Sequence, residues 1–264
     1  MQVLRIYHPF HLVTPSQWPL LLSSGIGNLF ICMVLAWHST ENKYLIFMAF
    51  IYSVISMYFW LKDVITESTY KGDHSSVVQR GIFFGFLLFV ISEVSFFLSI
   101  FWGYFHNAIA PIFELGGLYP AFGIDSIDPF ELPLVNTIIL LTSGATLTFS
   151  HHFLIKGDRK GGLLGALLTV IAALIFTTLQ SVEYLVSTFT ISDGIFGSCF
   201  FFSTGFHGLH VIIGTIFIWV GLIRFYNYQL TDSRHLGYEC GILYWHFVDI
   251  VWIFLYVSVY YWGS

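Results

Sequence analysis

The sequence predicts an all-α integral membrane protein with seven transmembrane helices. Of its 264 residues, 56% are hydrophobic and only 9% are charged, and the mean hydropathy is +0.78. A soluble domain has roughly a quarter of its residues charged, so this chain cannot cover a water-exposed surface. Seven apolar stretches are long enough to cross a hydrocarbon core of about 30 Å as helices. None of them alternates polar and apolar residues as a membrane barrel strand does.

The first three apolar stretches are bounded by aromatic residues at the depth where rings meet lipid headgroups. Trp18 and Trp37 bracket the first stretch, Trp60 lies at the end of the second, and Trp102 lies near the end of the third. Each stretch therefore has the length and the ends of a spanning helix. They comprise residues 18–37, 44–61 and 81–106.

Four more apolar stretches follow a Pro- and Gly-rich loop over residues 107–131, which we interpret as an ordered crossover. His151 and His152 lie near the end of the fourth stretch, Glu183 lies near the end of the fifth, and Trp262 ends the seventh. The chain has no internal repeat and no linker, so it predicts a single membrane domain over residues 1–264. The four stretches comprise residues 132–155, 162–186, 195–224 and 241–262.

The loops differ strongly in charge between the two sides of the membrane. Nine of the ten Lys and Arg residues fall on the side of the N-terminus, and Lys43 alone falls on the other side. The positive-inside rule then places the N-terminus inside and the C-terminus outside. The predicted outer face carries a net acidic charge that suits a basic soluble partner. Its acidic residues are Glu41, Glu114, Asp125, Asp128, Glu131 and Asp193.

Charge and cysteine content exclude two other classes of protein. The net charge is -5 and the longest run of basic residues is Arg159-Lys160, which excludes a nucleic-acid-binding protein. The three cysteines have no framework spacing, which excludes a disulfide scaffold. Pro9 and Pro15 interrupt the N-terminal segment, so we expect no cleavable signal peptide.

Ionisable residues inside the apolar stretches are the first candidates for function, because burying them in lipid is costly. Glu93 lies near the middle of the third stretch, and His207 and His210 lie near the middle of the sixth. We expect one of these histidines to hydrogen-bond or neutralise Glu93. A satisfied buried pair that fixes helix packing is the favoured interpretation, with a proton relay or a lipid contact as alternatives.

The seventh stretch repeats the same polar spacing with His246 and Asp249. Imidazoles at i, i+3 are compatible with haem or copper ligation. Glycines that flank His207 and His210 instead favour close helix packing with polar contacts, so the sequence predicts no metal site here. These glycines are Gly205, Gly208 and Gly214.

Two polar clusters are expected on the side of the N-terminus, where they could hold lipid phosphates by charge-assisted hydrogen bonds. A solvated loop is an equally good interpretation of their spacing. The first cluster comprises Trp60, Glu67, His74 and Arg80, and the second comprises Arg224 and His235.

Several longer motifs occur together in a fixed order along the chain. With these motifs, the chain resembles subunit III of the haem-copper cytochrome c oxidases, mitochondrial type, over its whole length. They include HPFHLV at 8–13, LFVISEVSFF at 88–97, SIFWGYFHNAIAP at 99–111, LPLVNTIILLTSGATLTFSHH at 132–152, FTISDGIFGS at 189–198 and TGFHGLHVIIGTIF at 204–217.

The resemblance implies a non-catalytic core subunit of a respiratory oxidase in the mitochondrial inner membrane, with a bacterial plasma membrane as the less favoured location. It implies that the inner side, with the N-terminus, is the matrix, and that two plus five helices are arranged around a lipid-filled cleft. This chain would bind phospholipids but no metal or cofactor, with haem and copper held by partner subunits. Subunit I would be the main contact, beside subunit II and accessory subunits. Lipids including cardiolipin would bind directly, and cytochrome c only indirectly.

The resemblance also implies roles for individual residues. Glu93 matches the family's carbodiimide-reactive membrane glutamate, and Arg224 matches an arginine at a lipid site. Gln229 and Arg234 stand where many animal members have histidines, so the chain departs from the family beside that site. The first polar cluster lies where another lipid headgroup is contacted. Implied functions are stabilising the catalytic subunit, assisting proton uptake and providing oxygen access.

Three other functions each fit only part of the sequence. A stand-alone proton-coupled transporter could use Glu93 and the midplane histidines, but the paired broken-helix repeats typical of transporters are absent from the sequence. A seven-helix receptor would have its N-terminus outside, opposite to the charge distribution. A haem or copper carrier would need facing ligands on separate helices.

Overall fold

The computed structural model describes residues 8–38, 43–113 and 116–263. Within these ranges the chain is helical without any strand, and seven helices are long and apolar enough to cross a membrane. The predicted all-helical fold with seven spans is therefore confirmed. The helices are α1 (Trp18–His38), α2 (Lys43–Thr66), α3 (Ser76–Ile109), α4 (Leu132–Ile155), α5 (Arg159–Val186), α6 (Gly194–Tyr226) and α7 (Leu236–Leu255).

Several helices extend well beyond the apolar stretches. With 34 and 33 residues, α3 and α6 are each about 50 Å long at about 1.5 Å per residue, against a hydrocarbon core of about 30 Å. Hydropathy marks only the part of a helix that lies in lipid, so it missed polar ends such as Ser76 to Arg80. Helix α2 continues through a π-helical turn, Glu67–Lys71, and a second such turn, Tyr256–Tyr261, continues α7.

The chain divides into two compact units, residues 1–82 and 83–264. In the described part of the first unit, α1 packs closely along α2 at Gly25. A Cβ atom at Gly25 would lie 2.7 Å from Ser53 Oγ and 2.8 Å from Tyr52 Cδ1, so only glycine permits this approach. At the start of α1, the indole of Trp18 donates a hydrogen bond to Asp63 (2.5 Å) near the end of α2.

The second unit contains α4 to α7 and the greater part of α3. Helix α4 packs against α5 and α7, and α6 packs against the same two helices. Two fully buried indoles donate hydrogen bonds across this core, from Trp245 to Ser143 Oγ (3.0 Å) and from Trp252 to Thr137 Oγ1 (2.9 Å). Buried hydroxyls therefore satisfy the polar atoms of the largest core side chains.

Some of the expectations concern residues or properties beyond the described structure. Arg5, Glu41 and Glu114, which contribute to the predicted charge asymmetry, lie outside the described residues. The matrix orientation of the N-terminus, the arrangement of two plus five helices and the lipid-filled cleft stay predictions.

Candidate functional site

Glu93 of α3 is hydrogen-bonded to His210 of α6, with 2.8 Å between Glu93 Oε2 and His210 Nε2. The predicted contact between Glu93 and one midplane histidine is therefore confirmed, and the partner is His210. The other ring nitrogen, Nδ1, lies 2.6 Å from the carbonyl oxygen of Phe206. Because a carbonyl oxygen can only accept, Nδ1 carries a hydrogen. Nε2 is then the ring nitrogen that makes the hydrogen bond to the carboxyl group of Glu93.

His207 faces away from this pair and joins α6 to α7 instead. Its Nε2 atom donates to the carbonyl oxygen of Val248 at 3.2 Å, and its ring centroid lies 5.0 Å from that of Trp252. The side chain is fully buried, and its Nδ1 atom has no hydrogen-bond partner among the described residues. His207 is thus a packing residue between two helices.

His246 and Asp249 form a third, separate contact that ties α7 to α4. His246 Nδ1 lies 3.4 Å from Asp249 Oδ2, and His246 Nε2 lies 3.2 Å from Thr148 Oγ1. The Asp249 carboxylate packs directly on the backbone of Gly144, where a Cβ atom would collide with it. Among the described residues, the ionisable groups of α3, α6 and α7 do not gather into a set of three with metal-ligand spacing.

A buried polar cluster at the end of α5 was not predicted from the sequence. Glu183 is 2% exposed and accepts hydrogen bonds at Oε1 from Tyr260 (2.5 Å) and from Gln180 Nε2 (3.1 Å). Asn136 of α4 donates to Gln180 in turn, at 3.4 Å. The i, i+3 spacing of Gln180 and Glu183 was the available signal. The tyrosine and the asparagine come from distant helices and could not be assigned from sequence.

Three members of the first predicted lipid cluster line one cavity in the first unit. Trp60, Glu67 and His74 face a space of about 930 Å³. Arg80 is exposed on α3 and does not line it. The π-helical turn at the end of α2 places Glu67 at the cavity, and Gly72, at a φ of 73°, reverses the chain so that His74 reaches the same space.

The cavity combines charged and apolar walls. Glu67, Asp63 and Lys71 supply both signs of charge, and Val64 and Ile82 are among its apolar residues. Such a lining suits an amphipathic molecule with a polar head.

His74 lies in the turn between α2 and α3. Burial lowers the pKa of His74 below its ordinary value of 6.5, and His11 lowers that pKa further. The carboxylates of Glu67 and Asp73 oppose this shift. The imidazole of His74 is accordingly neutral at pH 7, and it offers hydrogen bonds rather than a full positive charge.

The second predicted cluster lies where α6 ends and α7 begins. Arg224 is in the last turn of α6, and a Cβ atom at Gly237 would lie 3.0 Å from its Nη1 atom. His235 Nε2 is 3.2 Å from His151 Nε2 of α4. Sequence reasoning missed Arg159, whose Cζ atom lies 3.5 Å from the ring centroid of Tyr228.

The comparisons with known proteins agree with each other. A family profile described as "Cytochrome c oxidase subunit III" matches residues 8–264. The curated cytochrome c oxidase subunit 3 of Neurospora crassa is 58% identical over 258 residues, covering 97% of this chain and 96% of that protein. Those of Emericella nidulans and Yarrowia lipolytica are 59% and 53% identical, with the same coverage. The similarity therefore includes all seven helices and each polar cluster described above.

Proposed function

Because the chain belongs to the cytochrome c oxidase subunit III family, we propose that it supports the oxidase reaction without carrying a redox centre. The chain is a core subunit of complex IV and a multi-pass protein of the mitochondrial inner membrane. It works within a haem-copper oxidase, in a complex with other oxidase subunits. The observation that carries the proposal is that His210, His207 and His246 each make a separate contact between two helices, with no partner in common.

We propose that the haem and copper groups belong to partner subunits, chiefly subunit I, which would be the main contact of this chain. Subunit II and accessory subunits would complete the assembly, and cytochrome c would act on it only indirectly. The long helix α3 suits such a role, because only Phe97 and Tyr104 are fully buried in it and many of its other apolar side chains are exposed to lipid or a neighbouring subunit.

The Glu93 and His210 pair supports the structural role rather than a free transport path. A carboxyl group that is hydrogen-bonded to an imidazole can remain inside the membrane at a lower cost than one without a partner. We propose that this pair fixes the packing of α3 on α6, and that any assistance to proton uptake depends on the hydrogen bond between the two side chains. The stand-alone transporter is not retained, since the chain belongs to an oxidase subunit family.

Phospholipid binding is proposed at the cavity lined by Trp60, Glu67 and His74. Lys71 provides a cation for a lipid phosphate, and neutral His74 provides a hydrogen bond. Glu67 and Asp63 match an ammonium group, so the cavity suits a zwitterionic headgroup. Arg80 would contact lipid outside the cavity. Arg224 with His235 is the second proposed lipid site, and cardiolipin is among the lipids proposed for the chain.

Reversing the charge of Lys71 tests the lipid proposal. The Lys71→Glu variant is expected to lose at least one tightly held phospholipid per complex, because it places a third carboxylate at the proposed phosphate position. Native mass spectrometry of the purified oxidase would count the lipids retained. Lys62→Glu is the matched control, since Lys62 lies on the same helix, is exposed and does not line the cavity. An equal lipid count in both variants would refute the site.

Removing this subunit from the assembled oxidase tests the main proposal. The remaining enzyme is expected to keep its full haem and copper content but to inactivate after fewer turnovers, because the catalytic subunit loses its support. Metal analysis and the total oxygen consumed before inactivation are the measurements. A mock-treated complex that keeps the subunit is the control. Loss of metal in proportion to the loss of this chain would place the ligands on it and overturn the proposal.

A further inference from the structure

Three potential metal ligands meet beside the cavity of the first unit. Ligand atoms of His11, Glu67 and His74 all lie within 4.8 Å of one another, and all three residues are half-buried. The ring centroids of the two histidines are 5.5 Å apart. In the part of the chain that the structure describes, no other three such residues come as close.

Separate segments of chain bring these ligands together. Glu67 begins the π-helical turn after α2, and His74 follows the reversal at Gly72. His11 comes from the segment that precedes α1. This segment is attached at a second point, where Ser75 Oγ donates to the carbonyl oxygen of Pro9 at 2.5 Å. The arrangement thus depends on contacts distant in sequence.

The geometry points to a binding site for a divalent transition-metal ion, of which Zn²⁺ is the best match, held by His11, Glu67 and His74. Two imidazoles and one carboxylate are ligands that zinc takes in proteins, with a fourth position left for water or another oxygen. Zinc with ligands at about 2.1 Å in a tetrahedron needs ligand atoms about 3.4 Å apart. Small side-chain rotations at these half-buried positions would bring the ligand atoms from within 4.8 Å of one another to the about 3.4 Å that zinc needs.

The surroundings of the three ligands contain charges of both signs. Asp73 Oδ2 lies 3.9 Å from His11 Nε2 and adds a second carboxylate beside the proposed ion. Lys71 lines the adjoining cavity and opposes a cation there. The proposed site departs from the expectation that this chain binds no metal. The ion proposed here would take no part in the redox reaction. The site shares Glu67 and His74 with the proposed lipid contact, but the positions of the three ligands do not depend on a lipid being bound.

An ion at this site would fasten the N-terminal segment to the turn between α2 and α3. The experiment uses the whole purified oxidase in four forms: wild type, His11→Asn, His74→Asn and His8→Asn. His8 is the matched control, since it is an exposed histidine three residues from His11 and outside the cluster. Equilibrium dialysis against Zn²⁺ measures the ions bound per complex, and hydrogen exchange measures the protection of amides in residues 8–16.

Wild type and His8→Asn are expected to bind one more Zn²⁺ per complex than His11→Asn, or to bind it at least about tenfold more tightly, because losing even an outer-shell partner of a metal site typically lowers its affinity about 10–100-fold. Zinc, but not Mg²⁺, should slow hydrogen exchange in residues 8–16 of the first two forms only. If the oxidase with His74→Asn fails to assemble, the comparison of wild type with His11→Asn tests the inference alone. His11 precedes the first helix, so its substitution is not expected to prevent assembly. Equal zinc binding and exchange in wild type and His11→Asn would overturn the inference and leave the lipid proposal standing.

Discussion

Replacing His210 with leucine is expected to destabilise the assembled oxidase and to lower the amount of this chain retained in it. The substitution keeps an apolar side chain between α3 and α6 but removes the partner of Glu93. A polar group that loses its hydrogen-bond partner away from water costs about 1–3 kcal/mol, and Glu93 lies near the middle of a helix long and apolar enough to cross a membrane. Thermal unfolding of the complex and the amount of chain co-purifying with it are the measurements.

A second substitution shows whether the loss of stability comes from the broken contact between Glu93 and His210. The double variant with leucine at both Glu93 and His210 should regain most of the stability, because replacing both partners with apolar groups is nearly neutral. Glu93→Gln alone should have a smaller effect than His210→Leu, since the amide can still hydrogen-bond the imidazole. Equal losses in the single and double leucine variants would show that His210 acts through its packing alone.

Placing valine at Gly144 is expected to have a larger effect, with little mature complex containing the variant chain. A Cβ atom there would collide with the Asp249 carboxylate and lie 3.5 Å from His246 Cε1. Overpacking a close helix contact costs about 1–3 kcal/mol, and displacing Asp249 also breaks its hydrogen bond to His246. The amount of assembled oxidase, quantified by its haem absorbance and by blue native electrophoresis, is the measurement.

Gly208→Val is the matched control for this prediction. Gly208 also lies in a membrane-spanning helix of the second unit, but nothing lies within 4 Å of a Cβ atom placed there. Because the β-branched side chain is the same, any general effect on helix insertion is shared by both variants. Normal assembly of Gly144→Val, or equal losses in the two variants, would contradict the role assigned to the contact between α4 and α7.

The helices were predictable because hydropathy reports directly on the solvent around a segment. The contact between Glu93 and His210 was predictable as well, since both residues lie near the middle of their spans and so share a depth. Depth alone could not decide between His207 and His210. That choice depends on the rotation of α6 about its axis, which packing against α3 and α7 determines.

Other contacts could not be predicted from the sequence, for a different reason. Glu183 was placed at the end of a span, but its hydrogen bond to Tyr260 joins residues 77 positions apart. No local pattern reports such a pairing. A hydrophobic pattern with a period of 3.6 residues likewise does not reveal the π-helical turn at Glu67. This turn helps to place Glu67 beside His74 and His11.

The pairing of Glu93 with His210 also constrains how the chain enters the membrane during its synthesis. His210 follows Glu93 by 117 residues, so α3 is made well before its partner helix exists. A charged residue at the centre of a spanning helix costs about 2.5–3.5 kcal/mol on insertion, whereas each leucine, isoleucine or phenylalanine contributes about -0.3 to -0.6 kcal/mol. The apolar side chains of α3, many of them phenylalanine, can therefore offset the cost of inserting Glu93 into lipid before α6 has been made.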